Sequence, residues 1–179
     1  MRRHLNKKIV IIINGKGGAG KDTACAIATE HYHTQIISAI TPIKELARQC
    51  GWGGEKDHRS RKFLSDLKRL LVKYNNLPNT YLDHQYALFL QSNYDLLFVH
   101  IREADQMDAF KSKVSVNCVT LLIKSPYDVL TYGNSSDDDV ENYQYDYSFN
   151  NDQSIAALKI GFPAFLSQLL SREGLMQID

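Results

Sequence analysis

Three absences narrow what this chain can be before any motif is read. Cysteine is scarce: Cys25, Cys50 and Cys118 are odd in number, far apart and set in apolar patterns. They read as reduced core thiols, exclude a disulfide framework or a cysteine-ligated metal, and imply a cytoplasmic location. An excess of one charge is missing too, since 21 Lys and Arg stand against 20 Asp and Glu for a formal net charge of +1. With 44% hydrophobic residues beside that balance, neither a nucleic-acid-coating protein nor a disordered chain is indicated. Long apolar runs are lacking as well. The run at 9–13 follows Arg2, Arg3, Lys7 and Lys8 in the manner of a signal peptide. It is about five residues long where a signal needs about 7–15, and nothing approaches the roughly 20 of a membrane span. Repeats and linkers are not found, so 179 residues imply one domain with length enough to bury a core.

What is present is an alternation of strand and helix periods. Continuous β-branched residues at 9–13 suggest a strand covered on both faces, and a helix is expected over about 21–32. A second strand at 35–39 leads to a helix with Thr41 as N-cap and Pro42 at its first position, stopping at Gly51. Phe63, Leu64, Leu67, Leu70 and Leu71 mark a long amphipathic helix whose other face is basic. Further helices are expected around Leu82 to Leu90 and around Met107 and Phe110, with strands at 96–101, 118–123 and 145–149. A closing helix through Ile155 and Leu170 should be kinked or split by Gly161 and Pro163. This order predicts an α/β fold in three layers, a five-stranded parallel sheet with helices on both faces and ligands at the carboxyl ends of the strands.

Between the first strand and first helix stands NGKGGAGKDTA, residues 14–24. Gly15, Gly20 and Lys21 satisfy the GxxxxGK of a Walker A phosphate loop in its proper context. Glycines let backbone N–H groups close on phosphate oxygens, the helix start adds its positive end, and Lys21 can reach the β- and γ-phosphates. The loop departs from the standard form at Asp22, with the hydroxyl one residue later at Thr23. Thr23 can hold Mg²⁺ directly; Asp22 can hold it through water or cap the helix start.

KGGAGK, headed by Lys16, resembles the deviant Walker A of dimeric partition-type ATPases, but their hydroxyl directly after the second lysine and their aspartate-bearing switch are missing. GAGKDT is similar instead to the loops of nucleoside monophosphate kinases. It resembles most the phage-type deoxynucleoside monophosphate kinases and, more distantly, animal-type phosphomevalonate kinases. Three later stretches, SAITPIKELARQCGW (38–52), VHIREADQMDAF (99–110) and DYSFNNDQSIAAL (146–158), resemble the phage-type kinases in the right order. The resemblance spans most of the chain, and only the loop is a specific motif.

It implies one P-loop kinase-like domain over 1–179, an acceptor-binding helical segment at about 40–93 and a lid at about 126–142. It implies ATP and Mg²⁺ as cofactors and a nucleoside monophosphate as acceptor, with no nucleic-acid or membrane partner and a monomer or homodimer. The phosphate loop would comprise Gly15, Lys16, Gly17, Gly18, Ala19, Gly20, Lys21, Asp22 and Thr23, with adenine near Asn150. Lys21, Arg102 and Lys124 would act on the transferring group, and Asp22 and Thr23 on the metal. The acceptor phosphate needs roughly two cations, and Lys44, Arg59, Arg61 and Lys62 are available for it.

Three departures from the resemblance bear on activity. His100 stands where the phage-type kinases carry an aspartate, and Lys124 where they carry an arginine. The lid has no Lys or Arg but has Asp137, Asp138, Asp139 and Glu141. A degenerate nucleotide-binding module that no longer transfers phosphate is therefore the alternative. Other site chemistries find no support: His31, His33, His58, His84 and His100 lack metal-ligand spacing, and the acidic loop lacks the offsets of a calcium site. The basic helix within 56–73 carries only one aromatic, Phe63, and the chain has no overall basic charge, so nucleic-acid binding is not indicated.

Overall fold

A strand with neighbours on both edges and helices on both faces must be apolar at every position, and β2 (Ile9–Asn14) buries all six of its side chains. The computed structural model describes residues 2–125, 140–151 and 154–178. Its main sheet holds β2, β3 (Thr34–Ser38), β4 (Leu96–His100), β5 (Asn117–Lys124) and β6 (Tyr147–Asn150), in the order β3, β4, β2, β5, β6. All four pairings are parallel, with Ile13 beside His100 on one side and Asn14 beside Leu122 on the other.

Alternation along β2 feeds two cores. Ile9, Ile11 and Ile13 pack with helices α1 (Lys21–His31) and α6 (Ile155–Arg172) through Cys25, Ala28, Phe162 and Leu166. Val10 and Ile12 face the other way, toward Leu82 and Phe89 of α4 (Leu77–Gln91) and Met107 and Phe110 of α5 (Ala104–Lys111). The remaining helices, α2 (Thr41–Gln49) and α3 (His58–Asn75), sit on α4, giving the helical segment between β3 and β4.

Several local expectations need correction. Thr41 is the first helical residue and not the N-cap; Ile40 holds that place in a right-handed turn with no side-chain cap. The stop at Gly51 is a Schellman turn, with φ of 91° at Gly51 and N–H groups of Gly51 and Trp52 donating to the carbonyls of Arg48 and Ala47. Helix α6 runs unbroken through Gly161 and Pro163. Packing overrides propensity there: Phe162 is fully buried, meets Phe149 edge-on at 5.4 Å, and a Cβ at Gly161 would lie 3.8 Å from the same ring. Cys50 is exposed and not a core thiol. Helix α3 is amphipathic in sequence, yet none of its residues is buried.

One element had no counterpart in the sequence patterns. A two-stranded antiparallel sheet joins β1 (His4–Leu5) to β7 (Gln177–Ile178). Among the described residues no helix is long and apolar enough to cross a membrane.

Candidate functional site

The phosphate loop leaves the carboxyl end of β2 and enters α1, so its backbone N–H groups and the positive helix end converge where parallel strands stop. Asn14, 1% exposed, begins it. Its Oδ1 accepts from the Gly15 N–H at 2.9 Å and its Nδ2 donates to the Arg102 carbonyl at 3.0 Å, joining the loop to the exit of β4. Gly15 has φ of 150°, and a Cβ there would collide with the Ile123 carbonyl of β5. Gly20 has φ of 92°, and a Cβ there would strike Asn151 Nδ2, which donates to the Ala19 carbonyl at 2.9 Å. Only glycine meets both demands, of backbone angle and of clearance.

Lys21 lies folded over the loop, its Nζ donating to the carbonyls of Gly15 at 2.5 Å and Lys16 at 2.8 Å. An ammonium resting on two carbonyls across the mouth of a glycine loop is placed to exchange them for an oxyanion. Lys16 meets Glu141 at 3.6 Å, so it is drawn toward the 3-10 helix Val140–Asn142. Asp22 extends outward with its side chain 99% exposed, 3.9 Å from His100 Nδ1. Gly17, Gly18, Ala19 and Thr23 complete the stretch, with Ala19 buried and its N–H donating to the Lys16 carbonyl.

His100 ends β4 beside this loop. Its Nε2 lies 3.5 Å from Cys25 Sγ, on the first turns of α1. Burial is the main cause that holds the imidazole neutral, with its pKa down to about 4; Asp22 opposes the shift, and Lys21, Arg102 and Lys44 add to it. Those three cations, from the loop, the β4 exit and α2, all act electrostatically on His100. The Cys25 thiol is pushed up from its ordinary range by burial, which leaves it unreactive.

The other expected residues separate into two groups. Arg102 is exposed after β4, and Lys124 is exposed at the end of β5, where it pairs in register with Asn150 of β6. The Lys124 carbonyl accepts from the Asn151 N–H at 2.7 Å, so these strand ends are tied to the turn that braces Gly20. On α3, by contrast, the basic residues are engaged locally: Arg61 Nε donates to the Lys56 carbonyl at 2.8 Å and Lys62 pairs with Asp66 at 2.8 Å. Arg59 is exposed on the same helix. The lid positions 126–139, and residues 152 and 153 of the turn expected near adenine, lie outside the described residues.

No protein-family model matches the chain, and no curated protein does. Among solved structures, the tunicamycin resistance protein of Deinococcus radiodurans is similar over 97% of this chain and 99% of that one, at 16% identity and a TM-score of 0.56. The chain has a P-loop kinase-like fold. A sugar kinase from Janibacter sp. HTCC2649 aligns over 90% of this chain and 95% of that one, at 13% identity and a TM-score of 0.46, too low to add weight. Neither is a phage-type deoxynucleoside monophosphate kinase, so that narrower resemblance rests on the sequence motifs.

Sequence reasoning passed over Asn14, Asn151 and Lys68. Asn14 had a signal, an amide directly before the first loop glycine at a strand end. Lys68 had none, being one cation among many on a basic helix, yet it forms the tightest tie of that helix, 2.6 Å to both carboxylate oxygens of Glu103. Among the described residues no three His, Cys, Asp or Glu side chains gather into a metal site. A magnesium ion here would depend on phosphate oxygens, with Thr23 and Asp22 as the protein oxygens offered by the loop.

At the opposite, amino-terminal end of the strands, an open cavity of about 510 Å³ is lined by His4, Lys8, His33, Ser92, Asn93 and Asp95. Its groups satisfy one another. His4 stacks on His33 at 3.8 Å and bonds Asp95 at 2.8 Å, while Lys8 donates to the carbonyls of Ser92 and Tyr94.

Proposed function

We propose that this chain moves the γ-phosphoryl of Mg·ATP to a small phosphate-bearing acceptor, with a (deoxy)nucleoside monophosphate favoured. One observation carries the reading: Lys21 rests on the carbonyls of a loop whose Gly15 and Gly20 have positive φ and no room for a Cβ, at the start of a helix and at the carboxyl edge of a parallel sheet. Phosphoryl transfer needs in-line positioning and positive charge more than covalent help from the protein. The loop N–H groups and Lys21 hold the β- and γ-phosphates; Arg102 and Lys124, at neighbouring strand ends, meet the charge that builds on the transferring group. Lys44 and the α3 cations receive the acceptor. Thr23 and Asp22 would hold a magnesium ion, which would supply positive charge to neutralise the phosphates.

A second reading is favoured by one feature. A neutral His100 cannot orient hydrated magnesium as a carboxylate does, which suits a nucleotide-binding module without transfer. An ADP-release assay with Mg·ATP against the common nucleoside and deoxynucleoside monophosphates separates the two, with Lys21→Ala as blank. Acceptor-dependent turnover that vanishes in the blank supports the kinase. Nucleotide binding with no turnover on any acceptor supports the module, and full nucleotide affinity in Lys21→Ala overturns the loop assignment itself.

A further inference from the structure

We infer that Lys68 is a positioning residue for acceptor binding: its ion pair with Glu103 fixes the rotation of α3 over the cleft and so decides which α3 cation faces the acceptor. The inference rests on the transfer reading above. Helix α3 has 18 residues and buries none of them, so apolar packing alone anchors it weakly against α2 and α4. Lys68 supplies a specific anchor, with its Nζ 2.6 Å from both oxygens of Glu103 and its side chain 18% exposed.

Glu103 is well placed to matter. It directly follows Arg102, whose carbonyl accepts from Asn14 Nδ2, and Asn14 Oδ1 accepts from the Gly15 N–H. The anchor of α3 is thus joined to the phosphate loop by three polar contacts and one peptide bond. Arg61, Leu64, Lys68 and Leu71 recur at three- and four-residue spacing, share one helix face and are all half-buried. Arg59 and Lys62 lie exposed on other faces. With Lys68 held, Arg61 stands two turns away on the inward face, about 10 Å along the axis. Arg61, whose Nε donates to the Lys56 carbonyl, is then the α3 cation that would turn from that carbonyl to the acceptor, and Lys62 keeps its surface pairing with Asp66.

The test uses the full chain as wild type, Lys68→Ala, Glu103→Gln and Lys68→Arg, with hydrogen exchange of α3 amides and steady-state kinetics on the best monophosphate from the acceptor panel. Loss of a partly exposed ion pair should speed α3 exchange and raise the acceptor KM by up to about fivefold. The ATP KM, kcat and β2 and β4 exchange should stay at wild-type values, and Lys68→Arg should restore both readouts. Lys68→Ala is the cleaner variant because Glu103 is also the N-cap residue of α5. Unchanged α3 exchange, or an unchanged acceptor KM in an active enzyme, overturns the inference. A wild type that turns over no monophosphate overturns the transfer reading instead, and exchange alone then decides whether the anchor exists.

Discussion

The two sides of the cleft are held by different physics. On the side proposed for the nucleotide, β2 and α1 contribute to a buried core, and Asn14, Gly15 and Gly20 are fixed by hydrogen bonds or by lack of space. On the side proposed for the acceptor, α3 buries no residue and depends on caps, ion pairs and partial burial. One side is built once and stays; the other can shift at low energetic cost. Phosphate recognition tolerates little displacement, whereas an arm that admits and releases an acceptor benefits from mobility.

The widest contrast is in stability. Phe162→Ala should destabilise by about 3–5 kcal/mol. Leu70→Ala, at a side chain 62% exposed, should stay within about 0.5 kcal/mol. Urea titration of both variants checks this, and equal losses would erase the distinction between the two sides. A smaller effect concerns pH. In the unfolded chain His100 titrates near 6.5 and in the fold near 4, so between these values the unfolded chain binds more protons. Stability should therefore fall as pH is lowered from about 6.5 to about 4, and His100→Gln should flatten that part of the curve. Denaturation midpoints at pH 7 and pH 4.5 for both proteins would show it.

Within α3 the effects become modest. Asp57 caps the helix by accepting from the Ser60 N–H at 2.7 Å, so Asp57→Ala should lower stability modestly. Hydrogen exchange would locate that loss in the first turn of α3. Smallest of all is the Lys62–Asp66 pair, whose removal by Lys62→Ala should lower the melting temperature only slightly at low salt and not at all at high salt. Thermal melts at low and high salt would reveal it.

The central strands β2, β4 and β5 were legible because burial on two faces writes a continuous apolar run, and the loop was legible because few sequences satisfy its glycine spacing. The β1 and β7 pairing was not, since two-residue strands carry no period. Pro163 misled because intrinsic propensity cannot weigh the burial of Phe162 against the lost helix hydrogen bond. The apolar period of α3 marked an amphipathic helix, but periodicity reports a preferred side and not how much is laid upon it. In the site, residue types were visible while partnerships were not. Lys16 with Glu141, His100 with Cys25 and Lys68 with Glu103 join positions 125, 75 and 35 residues apart, and local spacing carries no trace of such pairs.

Asn14 holds the Gly15 amide with one end of its side chain and the Arg102 carbonyl with the other. A ligand that displaces either end is felt at the other, and linkage makes that influence mutual. Whatever affinity a filled phosphate loop adds at Arg102, occupancy at Arg102 must return to the loop in equal measure. Because both routes close the same thermodynamic cycle, any coupling carried by this amide would leave the order of binding to kinetics.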